Sequence, residues 1–232
     1  MRGALCFICL ITMLGCKNEP VSPRYPDPIA QSFWGRKVNL MREIISEQGL
    51  IDSIFFDSAG NVVLEKSHGL VRKTEYDSLH FPIRQLTMSE FRSSYLIKYT
   101  YEENVFVQHW LETADSTYRE NTVDENLTEE RRITYELDRN GYVLQSKDSK
   151  SGNRTVYKYD ESMLLLSKIT YQHQNGKELE KWVYTYKDKR LLECENHFGG
   201  LFYKKYFFSE SGLIDSAIYK QFDVIKYDYK FW

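Results

Sequence analysis

The chain has 232 residues, 42% hydrophobic and 28% charged, with 31 Lys and Arg against 33 Asp and Glu for a formal net charge of −2. Acids and bases are interspersed, which excludes partners held by bulk charge, nucleic acid above all. The composition is unusual in its 18 Tyr and 13 Phe, and a chain of this length can bury one large core.

Residues 1–15 read as a processing signal: Arg2 is the positive start, Ala4 to Leu14 an apolar run too short to span a membrane, and Leu14-Gly15-Cys16 the end. This ending resembles the lipobox of bacterial lipoproteins. The resemblance implies cleavage before Cys16, a lipid on Cys16, and a cell-envelope location at the outer membrane, on its periplasmic or surface face. Lys17-Asn18-Glu19 is similar to the export tag of surface lipoproteins of Bacteroidetes. Cys6 and Cys9 leave with the signal, so Cys194 stands alone and no disulfide forms within the mature chain. Cys194 is expected as a small buried strand residue on the face of Leu192. Residues 16–31 hold Pro20, Pro23, Pro26 and Pro28 and read as an extended tether. Residues 32–232 are expected to form a single antiparallel β repeat domain.

Ser32 to Ser46 suits either a short helix or a strand. Ser46 to Ser53 then matches Ser209 to Ser216 at seven of eight positions, 163 residues apart. That separation is close to seven repeats of the unit described below, which would start the repeat near residue 40. Strands are predicted at Leu50 to Phe56, Asn61 to Lys66, Tyr95 to Tyr101 and Asn104 to Leu111, with a turn over Asp57 to Gly60. Val71 to Phe91 is degenerate, although Tyr76-Asp77 hints at a decayed unit, and Pro82 argues against a central strand over 81–86. Glu112 to Glu130 reads as a polar insertion with one edge strand near 116–119.

From Arg131 onward one aromatic pattern returns. Its landmarks are Leu137, Tyr159, Tyr186, Phe208 and Tyr229, at steps of 22, 27, 22 and 21, the mark of a repeated supersecondary unit. Each period holds two turn signals, among them Asn140-Gly141, Ser151-Gly152, Asn175-Gly176, Gly199-Gly200 and Ser211-Gly212. Between them polarity alternates, as in Trp182, Tyr184 and Tyr186 against Lys181, Val183 and Thr185. The prediction is an all-β antiparallel meander of tandem hairpins of about 22 residues, with nine strands after Arg131. A sheet this large curls, wraps on itself or closes like a barrel. Hairpins such as Tyr157-Lys158-Tyr159-Asp160, with Leu164-Leu165-Leu166 or Gly212-Leu213-Ile214 after a turn, resemble the YD (RHS-type) repeats and related lipoproteins of Bacteroidetes. The resemblance covers about residues 40 to 232 and implies a β structure that shields or binds something, with no catalytic residue carried over.

No phosphate-cradling glycine loop, nucleophile elbow or metalloprotease helix is present, so no catalytic residue, cofactor or metal is assigned; His68, His80, His109, His173 and His197 are scattered. The candidate ligand face is aromatic: Tyr157, Tyr159, Trp182, Tyr184, Tyr186, Tyr227 and Tyr229, in a ladder with Tyr135 and Tyr206. Its rungs come from alternate strands about 9 to 10 Å apart, and such rings either stack a sugar or peptide or pack as core. The favoured function is a membrane-anchored envelope module binding glycan or protein. A carbohydrate hydrolase and a transmembrane β-barrel are the alternatives. Cys16→Ala is expected to release the protein from membranes or to leave it as an unprocessed precursor, which fractionation and intact mass would show.

Overall fold

The computed structural model describes residues 36–45, 51–67, 69–89, 94–102, 104–112, 127–220 and 224–231. The signal segment, Cys16, the proline tether and the edge strand expected near 116–119 lie outside these residues. Described are β1 (Val38–Ile45), β2 (Ile51–Phe56), β3 (Val62–Ser67), β4 (Leu70–Tyr76), β5 (Pro82–Ser89), β6 (Tyr95–Glu102), β7 (Val105–Glu112) and β8 (Thr128–Leu137). The second half adds β9 (Val143–Asp148), β10 (Arg154–Tyr159), β11 (Leu165–Tyr171), β12 (Glu178–Lys187), β13 (Arg190–Phe198), β14 (Leu201–Phe208), β15 (Ile214–Tyr219) and β16 (Val224–Phe231). Neighbours in the chain pair antiparallel, and β1 pairs with β16 from Val38↔Phe231 to Ile45↔Ile225, closing the meander into a barrel. Closure satisfies both edges of a sheet that would otherwise expose unpaired backbone.

The nine strands after the insertion are β8 to β16, as the aromatic period predicts. The N-terminal half is more regular than its sequence suggests. The ambiguous segment is strand from Val38, and residues 70–89 hold two full strands, β4 and β5. Pro82 is the first residue of β5 and faces Tyr76 where the register slips, a position that asks for no ladder N–H. The near-repeat is out of phase. Ile51 opens an even-numbered strand and Ile214 an odd-numbered one, and these run in opposite directions. The match is therefore local sequence likeness, half a unit away from structural equivalence.

One rim of the barrel repeats a single device. Asp57, Asp77, Asp138 and Asp160 each accept through Oδ1 the backbone N–H groups two and four residues on, at 2.8–2.9 Å. Ser209 takes the equivalent place in the β14–β15 turn, its hydroxyl donating to the Leu213 carbonyl. The turn requires a left-handed fourth residue. Gly141 (φ 83) supplies it freely, whereas Met163 (φ 62) holds it with a side chain.

Near the end of an even-numbered strand, directly before the aspartate in the case of Tyr76 and Tyr159, stands the landmark aromatic. The hydroxyls of Tyr76, Tyr101, Tyr159, Tyr186 and Tyr229 donate to the carbonyls of Val62, Pro82, Val143, Leu165 and Ile214, at 2.6–3.1 Å. Each acceptor is the first residue of the preceding odd-numbered strand. The register slips beside it, pushing Ile83, Leu144 and Leu166 outward, and the same slip beside Leu191 pushes Leu192 outward, all at 41–48% exposure. This bulge corrects the expected neighbour of Cys194. Cys194 is fully buried as expected, but it shares its inward face with Leu191, not Leu192, and sits opposite Tyr184.

Cys194 and Tyr184 (4% exposed) are buried on an inward face, so side chains fill the lumen there. Tyr184→Ala is expected to lower stability by about 3 to 5 kcal/mol, read as a denaturant midpoint well below that of the parent protein; a midpoint close to the parent's would mean that this face is open.

Candidate functional site

Tyr157, Tyr159, Trp182, Tyr184, Tyr186, Tyr227 and Tyr229 all belong to the main core cluster inside the barrel. The structure brings them together along β10, β12 and β16. Tyr159, Tyr186 and Tyr229 commit their hydroxyls to backbone carbonyls, and the Trp182 indole N–H donates to Glu180 at 2.8 Å.

The inner wall changes character along the barrel axis. It is aromatic and aliphatic at the rim of the aspartate turns and polar toward the other rim. Over β10 to β15 the polar end is hydrogen-bonded: Thr155 with Thr170, Asn196 to Glu180, and the Lys204 ammonium to the Tyr219 hydroxyl. Lys204 also stands 4.2 Å and 4.1 Å over the rings of Tyr206 and Tyr219.

Over β4 to β8 the polar end is built differently. Arg72 pairs with Glu65 at 2.5 Å and Arg131 with Asp148 at 2.7 Å, so both guanidinium charges are neutralised. Between them Arg72 faces Thr87, Thr87 faces Tyr95, and Trp110 faces Arg131 across the strands. The Tyr95 and Trp110 rings stack at 5.0 Å, and Arg131 covers the other side of Trp110, also at 5.0 Å. Within this sector Arg72 Nε, Thr87 Oγ1, Trp110 Nε1 and Arg131 Nε are buried without a hydrogen-bond partner. The guanidinium side chains nevertheless keep 31% and 35% of their surface exposed, so the sector communicates with solvent. An unmet buried donor costs about 1 to 3 kcal/mol, so a cluster of them marks a place for water or a hydroxyl-rich ligand.

The pKa shifts follow the same gradient. Burial raises the Asp148 carboxyl, but hydrogen bonds from Arg131, Ser151 and the Lys150 amide outweigh it and hold the group below its usual range. Burial pushes Tyr99, on the inner wall beside this sector, up to about 12 despite the opposing field of Arg72. Tyr76, Tyr101, Tyr135, Tyr159 and Tyr229 are also raised, chiefly by burial. Among the described residues no group of three or more His, Cys, Asp or Glu is placed to hold a metal.

Sequence reasoning passed over this sector. Arg131 continues the inward phase of Ile133, Tyr135 and Leu137, so a charge on an apolar phase was the available signal. Arg72 and Thr87 fall in the stretch that reads as degenerate.

No protein family and no curated protein matches the sequence. Among solved structures the chain is similar to a porin-like protein from Bacteroides uniformis, at 10% identity and a TM-score of 0.37, over 84% of this chain and 98% of that one. It is also similar to the TcdB2-TccC3-Cdc42 complex (12% identity) and the Photorhabdus luminescens Tc holotoxin pore (13%), each with a TM-score of 0.24 over 73% of this chain. The chain spans only 11% of each of those toxin chains. These scores are low, and the architecture rests on this chain's own strand pairing.

The raised tyrosines set an alkaline limit. A phenol whose folded pKa lies above its unfolded value of 10.0 contributes stability that is intact below pH 10 and lost as the pH climbs through the folded value, about 12 for Tyr99. The denaturant midpoint is expected to hold up to about pH 10 and to fall between about pH 10 and 12, with Tyr99→Phe flattening part of that fall.

Proposed function

We propose that the protein is a lipid-anchored envelope module that binds a neutral, hydroxyl-rich glycan at the polar end of the barrel interior. The observation that carries this reading is the convergence of four unpartnered buried polar atoms beside the stacked Tyr95–Trp110 pair. Both arginines are already charge-paired, so they offer N–H donors without demanding an anion, while the stacked rings provide an apolar face. Sugars present that combination of hydroxyls and C–H faces.

The outer wall supports a barrel that stands in water. Ion pairs run across it, Arg84–Glu75 at 3.3 Å, Arg132–Glu129 at 3.0 Å, and Lys205 to Glu193 and Glu195 at 2.7 and 2.9 Å. A spanning barrel needs a lipid-facing apolar band about 25 Å tall, whereas these strands are six to ten residues long and charged outside. The hydrolase alternative calls for a carboxylic acid held above its usual range. Among the described residues the carboxylates whose pKa shifts, Asp148, Glu129 and Glu195, are all lowered.

Trp110→Phe keeps an aromatic ring, smaller than the indole, and removes the indole N–H. It is expected to weaken binding of neutral oligosaccharides about tenfold, the loss of roughly one well-made hydrogen bond, with the denaturant midpoint little changed because losing an unpartnered buried N–H offsets the smaller ring. Calorimetric titration of ligands selected on a glycan array measures this, and equal affinity in Trp110→Phe and Arg131→Lys would refute the site.

A further inference from the structure

On the outer wall, away from the lumen, Lys147 of β9 lies directly opposite Arg154 of β10, and Arg154 lies directly opposite Tyr171 of β11. Like charges facing each other across a ladder are destabilising. Some other cations on this wall are compensated: Arg132 by Glu129, and Lys205 by two glutamates. Lys147 and Arg154 have no carboxylate within ion-pairing distance among the described residues, and Glu178, opposite Tyr171, does not reach Arg154. Arg154 instead lies 6.0 Å over the Tyr171 ring.

The two cations line a groove of about 300 Å³, walled by Gly152, Tyr171, Gln172, His173 and Gly176, at the small end of the range for ligand pockets. Its shape is fixed by contacts between the β9–β10 and β11–β12 turns. The His173 amide donates to the Asn153 side-chain oxygen at 3.0 Å. The His173 ring packs so closely on Gly152 (φ 70) that an added Cβ would lie 2.7 Å from it.

We propose that this groove binds the acid group of a carboxylate- or sulfate-bearing sugar. The oxyanion bridges Lys147 and Arg154, and the sugar ring lies against Tyr171. Arg154 supplies a planar fork that suits a carboxylate or sulfate, and Lys147 adds a mobile ammonium. The ligand supplies the negative charge that the wall lacks. This site is separate from the lumen in position and in ligand charge.

The test is calorimetric titration of the full-length protein with tetragalacturonate, its methyl-esterified neutral counterpart, inorganic sulfate and vesicles containing anionic lipid. Tetragalacturonate is expected to bind with an affinity that falls as salt rises, sulfate more weakly, and the ester and vesicles not at this groove. Lys147→Gln and Arg154→Gln should each weaken tetragalacturonate at least about tenfold, the scale of one lost charge-assisted hydrogen bond, while Trp110→Phe leaves it unchanged. Without ligand, Lys147→Gln should keep or raise the denaturant midpoint, because it removes a repulsion. Four results would each overturn the proposal: ester binding that Lys147→Gln and Arg154→Gln weaken as much as acid binding, undiminished binding by both variants, capture by vesicles but not oligosaccharide, or a lowered midpoint in unliganded Lys147→Gln. Failure at Trp110 with success here would remove the lumen site alone.

Discussion

The tyrosine hydroxyl bonded to the first carbonyl of the preceding odd-numbered strand is the contact on which the barrel depends. A β-bulge leaves a residue without a ladder partner and bends the strand. At five places around one rim the phenol caps a carbonyl next to a bulge, and after Tyr76 and Tyr159 the next residue, Asp77 or Asp160, organises the turn that follows. The bend tightens the sheet's curvature, and repetition of the bend brings β16 back to β1. Where Phe56, Leu137 or Phe208 replaces the tyrosine, the ring or side chain keeps the packing and gives up the hydrogen bond.

That device acts at one rim only, which explains the grading of the interior. Large rings there exclude water from a barrel whose strand number would suit an open channel. Among the described residues the opposite rim shows no such landmark residues, and its inward positions carry charges and amides that satisfy one another over β10 to β15. Over β4 to β8 they are satisfied only in part. A half-satisfied buried network is costly unless water or a ligand completes it. Cross-strand charge pairs run over much of the outer wall, and a place where two like charges face each other instead, at Lys147 and Arg154, draws attention for the same reason.

Both proposed sites thus come from one criterion, a physical demand that the chain itself leaves unmet. In the lumen the demand is for hydrogen-bond acceptors and donors without charge, because Glu65 and Asp148 already neutralise the arginines. On the wall it is for negative charge. A single barrel can meet both, since the strand period sends successive side chains to opposite faces.

Local chemistry is legible in the residues alone: alternation makes β8 to β16 strands, turn signals such as Asp57 to Gly60 and Asn140-Gly141 place reversals, and the return of Tyr159, Tyr186 and Tyr229 marks the repeat, because each of these is settled by a residue and its near neighbours. Closure, register and the direction of individual side chains were decided only by tertiary structure. Pro82 opens a full strand because its missing N–H falls beside a bulge, and Leu192 turns outward because another bulge sits there, leaving Leu191 on the inward face with Cys194. The match of Ser46–Ser53 to Ser209–Ser216 misled because identical residues can open strands running in opposite directions, and which direction holds depends on counting every strand between them. The inward aromatics were legible from phase alone. The sector of Arg72, Thr87, Trp110 and Arg131 was not, because its members come from β4, β5, β7 and β8, and only the pairing of those strands sets four scattered polar residues side by side.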